Sequence, residues 1–305
     1  MKVLLALDGS EPSLVARDLV AHLPWPDGTT VHLVSAYQVP IDWTGGVGST
    51  MAWVGEIADA IRDELSEQLR SMAEPLLERG VSVEHHVVAG RAADAITHVA
   101  TDVDVDLIVT GSRGRGPIRS MLLGSVAAEI AADAPVPVLV ARRDSLGRLL
   151  VATDGSSSSA GIPELLGAWG IAGGTQADVI AVSVPDPPGY ELMTSLYTLG
   201  TDAVARSRQR EAQRAQADAD AMAERLQRAG IPATPRVRSG DAAAQILDAA
   251  SEYESDLIVT GSRGLGQLER LLLGSVARNV LVHAGCSVLI VRTGAEAPSS
   301  QEETT

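Results

Sequence analysis

Short apolar runs and longer stretches with helical periodicity alternate along the chain, and the series runs through twice. The first pass begins with the apolar run Val3–Leu7, and Ser10 to His22 follows with helical spacing. Val31–Tyr37 reads as a second strand, and the glycine-rich stretch from Gln38 to Thr50 as a long loop. From about Gly55 to Arg79 the apolar positions Ile57, Ile61, Leu65, Leu69, Met72 and Leu76 recur three and four residues apart, the stripe of an amphipathic helix. Val81–Val88 alternates as a third strand and Ala92–Ala100 is helical. Leu107–Thr110 is continuously apolar, as expected of a parallel strand covered on both faces. A glycine-rich loop, a helix over Val126–Ala132 and a strand over Val136–Ala141 complete the pass.

The second pass repeats the order. Leu149–Thr153 and Asp178–Val184 read as strands, Pro185 to Gly200 as a long loop and Asp202–Ala229 as a long helix. Strand Thr234–Arg238, helix Ala242–Ala250 and strand Leu257–Thr260 lead to a second glycine loop, then to helix Val276–Val282 and strand Ser287–Arg292. Strands alternating with helices predict open parallel sheets with right-handed crossovers, so the fold class is α/β. The expected domains are 1–144 and 148–294, divided near Arg143–Gly147. The small, polar, acidic tail 295–305 reads as disordered.

The duplication is written in the residues themselves. Asp106–Ala127 and Asp256–Ala277 are identical at 16 of 22 positions at a constant offset of 150. A block of that length at fixed spacing marks a repeated structural unit. The total of 305 residues also suits two domains better than one core.

Composition narrows the function classes. The net charge of -15 argues against nucleic-acid or anionic-membrane partners, whose binding rests on basic residues. No stretch approaches the roughly 20 apolar residues of a membrane span. The opening MKVLLALDGS reaches only Leu7 before Asp8, which suits a strand rather than a signal peptide. Cys286 is the sole cysteine, so no intrachain disulfide forms, and the reducing cytoplasm is the simplest compartment.

Candidate chemistry lies beyond the carboxyl ends of the strands, where open parallel sheets bind ligands. One loop follows the first strand of each half: Ala6–Ser10, with Asp8 and Gly9, and Ala152–Ser156, with Asp154 and Gly155. The other follows the fourth strand, with Gly111, Gly114, Gly124 and Ser125 in one half and Gly261, Gly264, Gly274 and Ser275 in the other. Glycine admits positive φ and close backbone approach to a ligand, and exposed N–H groups in such turns form a concave anion site. A serine at a helix start adds a hydroxyl beside free N–H groups and the positive dipole end. The plainer alternative gives the glycines to tight turns and the serines to ordinary N-caps. Between the glycines, the tracts 115–121 and 265–271 differ at six of seven positions while the spacing is kept.

On these residues the chain resembles the universal stress protein family in its tandem two-domain form. Gly-x2-Gly-x9-Gly-Ser is that family's ATP-binding pattern, and both copies match it, as do the aspartates Asp8 and Asp154. The resemblance implies two Rossmann-like, adenine nucleotide α-hydrolase-like domains that pair through their last strands as an internal pseudo-dimer, each holding one ATP. It implies that Asp8 and Asp154 lie against adenine and ribose, and that Ala36 and Val184 meet adenine through their backbone. The glycines and serines would cradle ribose and phosphates, with Val126 and Val276 supplying nearby backbone contacts. Mg²⁺ would accompany the triphosphate, and further assembly into a homo-oligomer or with a regulatory protein is expected.

Arg113 and Arg263 lie inside the phosphate loops, suited either to bidentate phosphate contact or to the solvent. His85 and His86 are adjacent on a strand and point to opposite faces, which predicts structural roles rather than one shared ion. Lys2 is the only lysine, so a Walker P-loop is excluded, and neither an HxGH nor a KMSKS-like signature occurs. With no catalytic residue identified, the expected function is an ATP-binding regulatory protein with slow hydrolysis or none. The alternatives are a nucleotide-processing enzyme, or a structural, chaperone-like protein with empty sites.

Overall fold

The computed structural model describes residues 1–38, 50–114, 123–170, 175–183, 201–262 and 273–292. In chain order the first half contains β1 (Lys2–Ala6), α1 (Glu11–His22), β2 (Thr30–Tyr37), α2 (Thr50–Leu77), β3 (Ser82–Ala89), α3 (Ala92–Val103), β4 (Leu107–Gly111), α4 (Ser125–Asp133) and β5 (Val138–Ala141). The second half contains β6 (Arg148–Thr153), α5 (Ser157–Ala160), α6 (Ile162–Ala168), β7 (Gln176–Ser183) and α7 (Thr201–Arg228). It continues with β8 (Ala233–Ser239), α8 (Ala242–Glu252), β9 (Leu257–Gly261), α9 (Ser275–His283) and β10 (Ser287–Val291). The two-domain α/β architecture is as the alternating pattern predicts. The loops read at 39–49 and 184–200, the tracts 115–122 and 263–272, and the tail fall outside the described residues.

Two differences have local causes. The sequence reading gave no helix between β6 and β7. The structure has two short ones, because Gly161 interrupts the helix and Pro163 restarts it in the first turn of α6. β5 begins at Val138 rather than Val136, since Pro137 has no N–H to give a ladder.

The ten strands of the described residues form one sheet in the order β3-β2-β1-β4-β5-β10-β9-β6-β7-β8. Pairing within each half is parallel, and the halves join through an antiparallel β5–β10 pair with Leu139 opposite Leu289. That contact is the expected internal pseudo-dimer. β4, β5, β9 and β10 are buried along their whole length. One face of the sheet carries α1, α2, α6 and α7, which contribute Leu19, Leu69, Leu166 and Leu226 to a continuous core. The other face carries α3, α4, α8 and α9, which contribute Ile96, Ile130, Ile246 and Val280.

Two arginines tie the seam in pseudo-symmetric fashion. Arg142, just past β5, donates to the carbonyl of Leu281 in the last turn of α9 at 2.6 Å. Arg292, just past β10, donates to the carbonyls of Ala131 and Ala132 in the last turns of α4, both at 2.6 Å. A guanidinium suits such carbonyls, which have no intrahelical partner and sit at the negative end of the dipole.

Candidate functional site

β1 turns outward to β2 on one side and β4 lies on the other, so the crevice between β1 and β4 is the place where strand order reverses. The loops leaving β1 and β4 meet there. In the first loop Gly9 has φ +73°, a left-handed conformation that favours glycine. Ser10 N-caps α1. The Asp8 carboxylate oxygen Oδ1 accepts from the Ser10 N–H at 2.9 Å and from its hydroxyl at 2.5 Å. The second half copies the turn, with Gly155 at φ +72° and Asp154 Oδ1 accepting from the Ser156 N–H at 2.9 Å.

The glycines of the second loop serve a different purpose from the positive φ their type suggests. None of Gly111, Gly114, Gly124, Gly261 or Gly274 has a positive φ, so positive-φ freedom belongs to Gly9 and Gly155 instead. What Gly111 and Gly114 supply is room. A Cβ on Gly111 would stand 2.5 Å from the backbone of Pro12, and one on Gly114 would stand 2.7 Å from Asp8 Oδ2. A Cβ on Gly124 would reach within 3.1 Å of Arg113 Cα. The two loops therefore touch, and the Asp8 carboxylate lies against Gly114.

The loop is closed at its neck. Gly124 donates its N–H to the Ser112 carbonyl at 2.8 Å, and Gly274 does the same to Ser262 at 2.8 Å. These two amides are thus committed to the protein. Gly124 and Gly274, rather than the serines, occupy the N-caps of α4 and α9, and Ser125 and Ser275 stand at the first helical position. The serine-as-N-cap alternative therefore does not describe either helix. Ala128 is the first residue of α4 to bond back, to Gly124 at 3.0 Å. The amides of Ser125, Val126 and Ala127 consequently point out of the helix start without an intrahelical acceptor.

These parts enclose a cavity of about 480 Å³, within the size range of small-molecule sites. Asp8, Ala36, Gly111, Arg113, Gly114, Gly124, Ser125 and Val126, eight of the nine first-half candidates, line it. Gly9 does not, since it shapes the turn behind Asp8. Ser13, Val34, Ala92, Ile96 and Thr110 also line the cavity and were not singled out from the sequence. Val34 carried a usable signal, because it lies two residues before Ala36 and so shares its face of β2. Asp8 is the one acidic and Arg113 the one basic side chain among the described lining residues.

In the second half the same framework is present in Asp154, Gly155, Gly261, Gly274, Ser275 and Val276. Gly261 approaches Ser158 as Gly111 approaches Pro12, with a Cβ to be placed 3.0 Å away. Val184, Arg263 and Gly264 lie outside the described residues. His85 and His86 do face opposite sides of β3: burial and Arg70 of α2 hold His85 below its ordinary pKa, while His86 meets His32 on the other face.

The comparisons with known proteins agree with this architecture. The model of the universal stress protein family matches twice, over residues 1–142 and 146–292. A universal stress protein of Bacillus subtilis is 30% identical over 145 residues, 46% of this chain and 98% of the relative. One of Mycobacterium tuberculosis is 26% identical over 78% of this chain and 80% of its own length. Among solved structures, a universal stress protein of Archaeoglobus fulgidus superposes with a TM-score of 0.66 at 21% identity, covering 96% of this chain and 98% of that one. No helix among the described residues is long and apolar enough to cross a membrane. Two matches of one family model, laid end to end over two copies of one α/β unit, show that the chain belongs to the universal stress protein family.

Proposed function

We propose that this chain is an ATP-binding regulatory protein in which each half, divided near residues 144–148, takes one ATP, and that a partner reads the bound state through changed shape or assembly. The observation that carries the reading is the cavity at the β1–β4 crevice, lined by the Asp8 carboxylate and by the start of α4. The amides of Ser125, Val126 and Ala127, the Ser125 hydroxyl and the positive end of α4 suit phosphate oxygens. Asp8, packed against Gly114 where a side chain would intrude, suits the ribose and adenine end. Ala36 offers backbone groups at the end of β2, and Arg113 offers a bidentate donor. Asp154, Ser275 and Val276 would act likewise in the second half, with Val184, Arg263 and Gly264.

Mg²⁺ would enter on the triphosphate rather than be held by a protein cage. Asp8 is the only carboxylate among the described lining residues, and Ser10 already engages its Oδ1. Mg²⁺ commonly binds through phosphates, waters and one or two carboxylates. The described lining holds no histidine or lysine, which supports slow turnover, since phosphoryl transfer needs positioned groups for the nucleophile and the developing charge. In this reading the protein works in the cytoplasm, and its output is assembly with a further copy or with a regulatory protein.

Titration calorimetry with ATP and Mg²⁺ tests the proposal. Wild-type chain should bind, and Gly114→Ala should bind at least about tenfold more weakly while its circular dichroism is unchanged. Equal binding by both proteins would sink the assignment of this cavity.

A further inference from the structure

We propose that the first half carries a divalent transition-metal site, formed by His32, Glu84 and His86 on strands β2 and β3. The three residues come from neighbouring strands, and their proximity follows from strand register. His32 of β2 stands opposite Glu84 of β3, and Val34 stands opposite His86. Glu84 and His86 are two residues apart, so both point to the same face as His32. His32 Nδ1 lies 3.1 Å from His86 Nε2 and 3.4 Å from Glu84 Oε2. All three ligand atoms fall within 4.8 Å of one another.

The separations of 3.1 and 3.4 Å are close to those between two ligands of one metal ion. Bonds of about 2.0–2.1 Å in tetrahedral geometry set neighbouring ligand atoms about 3.4 Å apart. Two imidazoles and a carboxylate are a common ligand set for Zn²⁺, with a fourth position left for water. His32 is 4% exposed, and its Nδ1 is the nitrogen turned toward the other two groups. Burial holds its ring below the ordinary pKa, in the neutral form that ligates. Glu84 is exposed and His86 half-buried, which leaves an entry path from solvent.

The second half shows what this position asks for. There Asp178 replaces His32, Arg236 replaces His86 and Arg148 replaces Lys2 in the same register. Asp178 is buried and engages Arg148 at 3.2 Å and Arg236 at 3.6 Å. Fixed cations of the protein occupy the polar slot of that half. In the first half Lys2 turns to the Val103 carbonyl, at 2.8 Å, and the slot faces two imidazoles and a carboxylate. His32 Nε2 is buried without a hydrogen-bond partner. The outer-shell acceptor that tightens zinc-bound histidines is thus missing, and affinity about 10–100-fold weaker than at a fully supported site is expected.

The test uses full-length chain stripped with a chelator and desalted, titrated with Zn²⁺ against a chromophoric competitor and, separately, with Co²⁺. One equivalent of Zn²⁺ and the intense visible bands of tetrahedral Co²⁺ are expected. His86→Ala and Glu84→Gln should each weaken binding at least about tenfold, while His85→Ala, on the opposite face, should leave it unchanged. Glu84→Gln alters an exposed side chain, so it reports on binding even if His86→Ala fails to fold. Failure of the wild-type chain to take up Zn²⁺, or binding that survives Glu84→Gln and His86→Ala, would overturn the proposal.

Discussion

At one register position of the repeated sheet, the second half buries Asp178 between Arg148 and Arg236, with the Arg236 guanidinium 5.2 Å from the Tyr253 ring centre. The first half places His32 there, beside an exposed Glu84 and a half-buried His86. A few ångströms along the strands, at their carboxyl ends, the two halves instead share the same loop closure, the same helix start and the same positive-φ glycine behind an aspartate. The contrast separates two kinds of constraint. The loop is fixed by backbone proximity, which allows little substitution. The slot needs only a self-consistent polar set, and the two halves have met that need with different chemistry.

The largest effect should come from removing the buried carboxylate. Asp178→Asn leaves two arginines without their counter-charge and is expected to cost about 2–3 kcal/mol in denaturant unfolding. In the first half, where His32 holds that position, the carboxylate of the set is the exposed Glu84, and Glu84→Gln should cost less than about 1 kcal/mol in chelator. Similar costs would break the comparison. Next comes the loop: Gly111→Ala drives a Cβ into the Pro12 backbone and should destabilise by about 2 kcal/mol. Gly114→Ala meets only the movable end of Asp8, so it should spare the fold and weaken ATP binding. A smaller effect than that of Gly111→Ala belongs to the seam, where Arg142→Ala and Arg292→Ala should each cost about 1 kcal/mol in thermal unfolding. Their near equality would reflect the pseudo-symmetry, and a clear inequality would show that the halves lean on the seam differently.

Most of the architecture was legible because its signals are local and doubled. The stripe from Ile57 to Leu76 and the apolar runs at Leu107 and Leu257 identify their elements without tertiary information. The broken helix α5–α6 was not legible, since a run of serines before Gly161 carries no apolar stripe. The candidate cavity was readable where glycine and serine spacing marks it. Its apolar wall was not, because Val34 and Ile96 look like ordinary core positions until the fold brings them to the crevice. The neighbourhood of His32, Glu84 and His86 depends on the register of β2 against β3, which hydrophobic pattern alone does not set to the residue. The seam arginines stand 139 and 161 residues from carbonyls they reach, beyond any local pattern.

The most direct measurement is nucleotide content. Full-length protein is saturated with ATP and Mg²⁺, desalted rapidly and denatured, and the released nucleotide is quantified by chromatography. About two nucleotides per chain is the predicted result, one for each copy of the loop. A chain that retains none, and gives no binding heat in titration, would contradict the account and leave the loops as structural turns.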